Sequence, residues 1–226
     1  MKLRWMACGF AIGVASAIGT QQVLSQSGED RGQHQNQMQG MSPQAQKLMA
    51  EMRKAHQNPQ QPSVFHEKLK ESVGTWDLDV RMYMAGPDGP AMRSSGTSEI
   101  KSVLNGRYVL EKMKMEFSMP DGEGGMQEVP YEGMGLRGYD NFRNQHVGVW
   151  ADNMNTQMIR YSGAPSPDPD RLVMYGEMDE PMMNMIGRKV KYVTEKISDD
   201  KAIFTAYDLA AGENHKVMEI TYTRQD

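Results

Sequence analysis

A regular alternation of apolar and polar residues begins just after a Gly-Thr-Trp sequence at residues 74–76. The apolar positions of this run are Trp76, Leu78, Val80, Met82 and Met84, and the positions between them are mostly polar. A period of two residues places alternate side chains on opposite faces of an extended chain. The pattern therefore predicts a β-strand with one buried face, beginning near Trp76.

Similar strand-like runs recur from there to the end of the sequence, separated by residues that favour turns. The separating sequences include Asn105-Gly106, Asp140-Asn141, Asp152-Asn153 and Ser198-Asp199-Asp200. Glycine, asparagine and aspartate adopt turn conformations at low cost, and short strands at regular spacing are typical of all-β domains. We expect roughly ten antiparallel strands in up-and-down order, with no helix among them.

The last strand indicates how this meander closes. Met218, Ile220, Tyr222 and Arg224 fall on one face of it. If the first and last strands pair antiparallel, Arg224 lies across Trp76, and a guanidinium on an indole contributes ~0.5 to 2 kcal/mol. The prediction is an all-β, up-and-down β-barrel of roughly eight to ten strands, closed at this seam by Trp76 and Arg224. The alternative is that Arg224 extends into solvent.

The N-terminal residues have the composition of a secretory signal peptide. Lys2 and Arg4 precede an apolar stretch from Trp5 to Ile18, which is shorter than the roughly 20 residues of a membrane span. We expect residues 1–25 to be removed and the protein to be exported, to the periplasm or outside the cell, without a stable membrane span; the alternative is that this segment is retained as an N-terminal anchor. Because Cys8 is the one cysteine, neither disulfides nor thiol catalysis are expected in the mature chain.

Residues 26–62 are rich in glutamine and glycine and are interpreted as a disordered linker. Ser42-Pro43 is a suitable start for one short helix within it. A solvated helix is favoured over one that covers the barrel, because a single short helix is marginal without packing. The barrel domain is assigned to residues 63–226, with a second short helix at Val64–Ser72 covering one end.

The charge balance argues against nucleic acid as a partner. The formal net charge is −4, and it becomes more negative without Lys2 and Arg4. No lysine or arginine run is longer than Arg188-Lys189, whereas nucleic-acid binding requires a basic patch. The same argument excludes an anionic membrane surface.

A larger set of residues resembles an uncharacterised bacterial family of lipocalin-like barrels, domain of unknown function 1579. The resemblance runs from His66 to Arg224 and rests on His66, Gly74-Thr75-Trp76, Gly96, Gly106-Arg107, Tyr131-Glu132-Gly133, Gly138-Tyr139-Asp140, Trp150, Asp152-Asn153-Met154, Thr156, Gly176, Pro181 and residues 218–224. The Gly-x-Trp opening is also similar to the first strand of calycin barrels such as lipocalins. The resemblance implies a calycin-like barrel and no catalytic residue. Departures are the loop from Asp121 to Val129, the methionines around residues 182–185 and the glutamine-rich leader.

The strand around Trp150 supplies candidate ligand-binding residues. His146, Trp150 and Asp152 share one face, and Val147, Val149 and Ala151 share the other. If the first face points inward, the cavity gains an indole, a carboxylate and an imidazole, which suits a ligand pocket. The alternative is that the valines fill the core and Asp152-Asn153 forms a turn.

Other candidates are Glu132, Arg107, Tyr139 and Tyr222. Glu132 shares a face with Met134 and Leu136, and an inward carboxylate requires a cationic partner such as Arg107. The hypothesis is that this pair orients a ligand, and the favoured alternative is a structural or rim ion pair. For Tyr139, a corner role in the following turn is favoured over a hydroxyl in the cavity, and Tyr222 lies on the inward face of the last strand.

No cofactor or metal site is expected. The five histidines contain no His-x-x-x-His pair, which argues against zinc. A haem bound through His146 or His215 and a Cu(I) ion bound by the thioethers of the loop with Met182, Met183 and Met185 are the alternatives. The chain has 22 methionines, but they are spread along the domain, which argues against copper.

The sequence favours binding of a small apolar or amphipathic ligand. It contains no Gly-x-Ser-x-Gly, phosphate-loop or dinucleotide motif. An isomerase or hydratase that uses cavity carboxylates, and a structural or interaction barrel with a filled interior, remain the two alternatives.

Overall fold

The computed structural model describes residues 40–121, 125–181 and 184–225. These residues contain two helices and ten strands. The helices are α1 (Pro43–Gln57) and α2 (Val64–Lys70). The strands are β1 (Gly74–Met82), β2 (Met92–Val103), β3 (Tyr108–Pro120), β4 (Met126–Asp140), β5 (Gln145–Asp152), β6 (Ile159–Gly163), β7 (Arg171–Glu180), β8 (Met185–Ser198), β9 (Lys201–Asp208) and β10 (Lys216–Arg224). The predicted signal peptide and the linker as far as residue 39 lie outside the described residues.

The ten strands form a closed antiparallel barrel, as predicted. Each strand pairs with its neighbours in sequence, and β1 pairs with β10 to complete the ring. The register places Trp76 opposite Arg224, with the guanidinium carbon 4.1 Å from the centre of the indole. Closure by Trp76 and Arg224 is therefore confirmed.

Hydrogen bonds fix this seam further. Arg224 donates to the carbonyl oxygens of Val73, Glu71 and Asp199 over 2.7 to 3.2 Å. The indole N–H of Trp76 donates to the carbonyl oxygen of Ser72, 2.9 Å away. We call this end of the barrel, where β1 begins and β10 finishes, the closed end, and the opposite end the open end.

The two helices cover the closed end. Ser42 caps α1 by accepting a hydrogen bond from the Ala45 N–H at 3.2 Å. Ala55 of α1 is buried with Phe65 of α2 and Tyr139, and Leu48 and Met52 pack against them. The expectation of a solvated first helix is therefore wrong: Phe65 and Tyr139 give its apolar side the packing partner that an isolated helix lacks.

The connection between the helices is anchored on Asn141, which is buried. Its side-chain amide donates to the carbonyl oxygens of Asn58 and Gln61 at 3.2 and 2.7 Å. Its carbonyl oxygen accepts a 2.9 Å hydrogen bond from Ser63. The backbone N–H of Ser63 donates to Nδ1 of His66 at 3.0 Å, so this histidine is a structural hydrogen-bonding residue.

Towards the open end the barrel wall separates. Pairing of β2 with β3 ends at Gly96 and Met115, whereas β1–β2 pairing continues to Met92 and β3–β4 pairing continues to the ends of both strands. The separation leaves a cleft of about 590 Å³, and Met115 and Tyr131 are among its lining residues. A second cleft, of about 420 Å³, lies between β6 and β7, where Tyr161–Gly176 and Ser162–Tyr175 are the paired positions.

Candidate functional site

A buried charge pair lies inside the barrel. Glu111 of β3 is 5% exposed, and its carboxylate lies 3.3 Å from the guanidinium of Arg137 on β4. The hydroxyls of Ser98 and Tyr222 donate to the same carboxylate at 2.8 and 3.1 Å. We call Ser98, Glu111, Arg137 and Tyr222 the polar centre.

The electrostatics of the polar centre favour a charged Arg137 and a neutral Tyr222. Burial opposes the charge on Arg137, but the nearby Glu111 carboxylate, together with Tyr161 and Tyr222, outweighs burial and raises the pKa of the guanidinium. Burial, and then the charge of Glu111, raise the pKa of Tyr222 well above its usual value. A buried carboxylate is stable only with such partners, and each partner here holds the others in place.

Four buried side-chain polar atoms have no hydrogen-bond partner among the described residues: Nε of Arg81, Nε of Arg137, Nδ1 of His146 and the hydroxyl oxygen of Tyr192. Arg137 belongs to the polar centre, and Tyr192 lies on the inward face of β8. The ring centre of Tyr161 is 5.6 Å from that of Tyr192, and Tyr161 also interacts electrostatically with Arg137. Burial raises the pKa of Tyr161 and of Tyr192 to about 12, so both hydroxyls are neutral hydrogen-bonding groups. Unpaired buried polar atoms are uncommon in folded proteins and require a physical explanation.

Glycines on the inward faces of β4 and β5 shape the wall next to the polar centre. A β-carbon on Gly133 would overlap the Trp150 ring, and one on Gly135 would lie 2.7 Å from it. A β-carbon on Gly148 would likewise overlap the ring of Tyr161. The two aromatic rings therefore lie along the wall in the space that other side chains would fill.

The Trp150 side of its strand does face inward, and Asp152 also forms the turn. The indole N–H donates to the Tyr131 hydroxyl at 3.0 Å, and that hydroxyl lies 3.4 Å from one carboxylate oxygen of Asp152. The other oxygen accepts the backbone N–H groups of Met154 and Asn155 at 3.0 and 3.1 Å. Burial, and then Asp152, raise the pKa of Tyr131. The inward-facing interpretation thus holds for Trp150 and the turn interpretation holds for Asp152, but the expectation that Val147 and Val149 fill the core is wrong, because both lie on the outer face of the strand.

Glu132 and Arg107 do not form the predicted internal pair. Glu132 points outward, is 64% exposed and pairs with Lys114 at 3.1 Å. Arg107 lies at the closed end and donates to the carbonyl oxygen of Gln60 at 2.8 Å. The inward-facing expectation for Glu132 is wrong because glycines, which carry no hydropathy signal, occupy the inward positions of β4. The favoured alternative, an ion pair on the rim or surface, describes Glu132.

Tyr139 and His146 lie at the closed end, below the polar centre. The Tyr139 ring stacks on Phe65 with centres 4.1 Å apart, and its hydroxyl lies 3.4 Å from Asn144 in the following turn, which confirms the corner role. His146 contacts Tyr139 with ring centres 5.0 Å apart. Burial, and then the positive charges of His66 and Arg137, lower the pKa of His146 to about 4. His146 is thus separate from Trp150 and Asp152, although the three share one face.

Sequence reasoning missed Glu111, Arg137 and Ser98, although a signal for them exists. Glu111 interrupts an alternating apolar face that includes Val109, Met113 and Met115. Arg137 occupies the same alternation as Tyr131 and Tyr139. A charged residue on an otherwise apolar or aromatic strand face indicates an internal ion pair.

The described residues contain neither a cluster of histidine, cysteine and acidic side chains suited to a metal ion nor a helix suited to crossing a membrane. Among residues 40–121, 125–181 and 184–225, no three or more histidine, cysteine, aspartate or glutamate side chains are grouped to bind a metal ion. Within the same ranges, no helix has the length and hydropathy needed to cross a bilayer. The remaining haem candidate, His215, lies at the open end beside Gly86, far along the barrel from His146.

A protein-family model matches the part of the chain that forms the barrel. The family model described as "Protein of unknown function (DUF1579)" matches residues 61–224. The chain belongs to this family. No curated protein matches the sequence.

Solved structures similar to this DUF1579 barrel have low sequence identity to it. Rv2717c from M. tuberculosis is 11% identical, with 74% of this chain and 100% of that chain covered and a TM-score of 0.50. An S-type phycobiliprotein lyase, CPES from Guillardia theta, is 11% identical over 76% of this chain and 97% of that chain, with a TM-score of 0.44. A redesigned β-barrel is 15% identical over 72% and 96% of the two chains, with a TM-score of 0.33. The likeness to Rv2717c supports the barrel fold and nothing more.

Proposed function

We propose that this DUF1579 barrel binds a small amphipathic molecule whose polar group lies beside Arg137 and whose apolar part lies along Trp150 and Met113. The observation that carries the proposal is the unpaired Nε of Arg137 within a buried charge pair. A buried donor without a partner loses hydration without replacement, at a cost of about 1 to 3 kcal/mol. A ligand acceptor atom at this position removes that cost.

The surroundings define the polar group further. Glu111 already balances the charge of Arg137, so the interior favours a neutral or weakly charged acceptor such as a hydroxyl, carbonyl or carboxylic acid. The unpaired hydroxyl of Tyr192, whose ring is next to that of Tyr161, offers a second hydrogen bond. A group that both donates and accepts matches this pair of atoms better than a purely ionic group.

The apolar part of the ligand has matching walls. Leu78, Val80, Met113 and Met115 belong to one buried apolar cluster, and Trp150 and Tyr131 pack against it. Apolar walls with few polar groups are characteristic of small-molecule sites. The 590 Å³ cleft reaches Met115 and Tyr131, and its volume lies within the ~300 to 1,000 Å³ typical of ligand pockets. This cleft is the proposed path of entry.

The cellular site of binding is part of the same proposal. Lys2, Arg4 and the apolar stretch that follows have the order of a signal peptide, which supports function after export.

The experiment is a fluorescence titration of the full chain with decanoic acid, 1-decanol and decane, which share one apolar chain length. A Trp150→Phe variant assigns the signal to the interior. We expect the acid and the alcohol to bind at least about tenfold more tightly than the alkane, since one hydrogen bond to a charged group such as Arg137 contributes roughly 1.5 to 3 kcal/mol.

Matched variants locate the polar group. Tyr192→Phe removes the unpaired hydroxyl and keeps the ring, while Tyr175→Phe does the same at a 52% exposed position. Arg137→Lys preserves the charge opposite Glu111 and removes the Nε donor. We expect Tyr192→Phe and Arg137→Lys to weaken binding of the alcohol about tenfold and Tyr175→Phe to leave it unchanged. Equal affinity for the alkane, no binding of any probe, or unchanged affinity in both interior variants contradicts the proposal.

A further inference from the structure

Strand pairing brings three methionines together at the open end. Met82, at the end of β1, pairs with Met92 at the start of β2 and with Met218 near the start of β10. All three occupy the inward positions that continue the alternation from Trp76. They form one row across three adjacent strands, although they are far apart in sequence.

The geometry of the row suits a shared ligand. Residues directly opposite one another in antiparallel strands have β-carbons ~4.5 to 5.5 Å apart. A methionine sulfur lies two bonds beyond its β-carbon on a flexible side chain, so neighbouring thioethers of this row can converge on one point. Met82 occupies the middle position and is therefore adjacent to both of the others.

Packing distinguishes the three side chains. Met82 and Met218 are half-buried and pack against the same apolar cluster. Met92 is 38% exposed and belongs to neither of the two clusters in the barrel. Two thioethers are thus held in place, while the third is accessible from solvent and can complete a site after an ion arrives.

We propose that Met82, Met92 and Met218 bind one Cu(I) ion at the open end of the barrel. Thioethers are soft, neutral ligands that select Cu(I) over harder or more oxidised cations. The described histidine, cysteine and acidic side chains provide no competing group of three. The sequence-based argument against copper, that the methionines are dispersed, does not apply to residues that strand register brings together. This site is separate from the polar centre.

Binding is measured on the full chain in a Cys8→Ser background, because the thiol of Cys8 would itself bind Cu(I). Anaerobic titration with ascorbate, in competition with the chromophoric Cu(I) ligand bicinchoninate, gives stoichiometry and affinity. We expect one Cu(I) per chain. Ag(I), a stable soft cation, is expected to shift the methyl resonances of these three methionines in methyl-labelled protein.

Substitution by leucine preserves side-chain volume and removes the sulfur. We expect Met92→Leu to weaken Cu(I) binding at least about tenfold, and the combined Met82→Leu, Met92→Leu and Met218→Leu variant to abolish it. The matched control replaces three other exposed methionines of the same end, Met84, Met126 and Met158, which are 70%, 60% and 54% exposed. Thermal unfolding by circular dichroism verifies that each variant is folded.

Three results would contradict the proposed Cu(I) site. They are absence of stoichiometric Cu(I) binding, binding that persists in the folded triple variant, and binding lost in the control variant or in Met182→Leu/Met183→Leu. Because Met92 lies outside the apolar clusters, Met92→Leu remains informative if the triple variant is unstable.

Discussion

The two ends of the barrel are built from different interactions. At the closed end, Arg224 lies on Trp76 and donates to three backbone carbonyls, and Asn141 fixes the connection between the helices. At the open end, β2 and β3 separate, and exposed methionines occupy the strand ends and loops. Directional bonds hold one end in a single arrangement, whereas flexible thioethers and a gap in the wall allow the other to adapt. The stability of the fold should therefore depend mainly on the closed end, and ligand entry and binding on the open end.

The largest effect should follow from removing the charge at the closed end. We expect Arg224→Met to lower the free energy of unfolding by about 3 kcal/mol, because it removes hydrogen bonds from a charged donor and the contact with the indole. Urea denaturation measures the change. Arg93→Met, which removes an arginine from the lining of the open-end cleft, should change stability by less than about 0.5 kcal/mol. Equal losses in the two variants would remove the distinction between the ends.

Acid should weaken the closed end through His146. The unfolded chain gains a proton on this residue near the ordinary pKa of 6.5, but the folded protein does so only near pH 4. Protons therefore favour the unfolded state as the pH falls through this window, and stability is lost by about 2 to 3 kcal/mol between pH 7 and pH 4.5. The lowered pKa of His66 acts in the same direction.

The control for this pH effect is His146→Phe, which keeps a ring against Phe65 and Tyr139. Its free energy of unfolding, measured in urea at each pH, should fall less steeply over the same range. Parallel pH profiles for the variant and the natural chain would show that His146 does not couple acid to stability.

A smaller loss is expected where the wall accommodates an aromatic ring. Gly133→Ala places a methyl group in the space of the Trp150 ring, and overpacking of this kind costs about 1 to 3 kcal/mol. Tryptophan emission should shift as the indole moves. Gly40→Ala, where a β-carbon meets no atom within 4 Å, serves as the control. An unchanged spectrum in Gly133→Ala would mean that the ring does not depend on this glycine.

The smallest effect should come from the outer surface of the open-end half. Glu132→Gln removes the exposed pair with Lys114, and such pairs contribute at most about 1 kcal/mol. We expect a change in unfolding free energy below about 0.5 kcal/mol and unchanged affinity for 1-decanol. A marked loss of affinity for 1-decanol would show that Glu132 contributes to the binding site.

The closed end was largely predictable from sequence, because its large apolar and aromatic side chains alternate clearly with polar ones and so define the inward faces of β1 and β10. The alternation from Trp76 and the shared face of Tyr222 and Arg224 led directly to the pairing of β1 with β10. The docking of α1 was not predictable, because its apolar surface is small and its partner, Tyr139, is distant in sequence.

The candidate site was predicted only in part, for a physical reason. Trp150, Asp152 and Tyr222 were identified, but the inward face of β4 was assigned incorrectly because Gly133 and Gly135 give no hydropathy signal. The β2–β3 separation and the row of Met92, Met82 and Met218 depend on which residues pair across strands. Such register requires contacts between strands, which alternation within one strand does not define.

Closure between β1 and β10 also has a consequence for folding kinetics. Trp76 and Arg224 are separated by almost the whole barrel sequence, so their contact has a high loop-closure entropy and should form late. During synthesis, β1 has an unpaired edge until β10 has left the ribosome, and such an edge can pair with another chain. The stable seam of the finished protein is therefore the site at which a nascent chain is most exposed to aggregation.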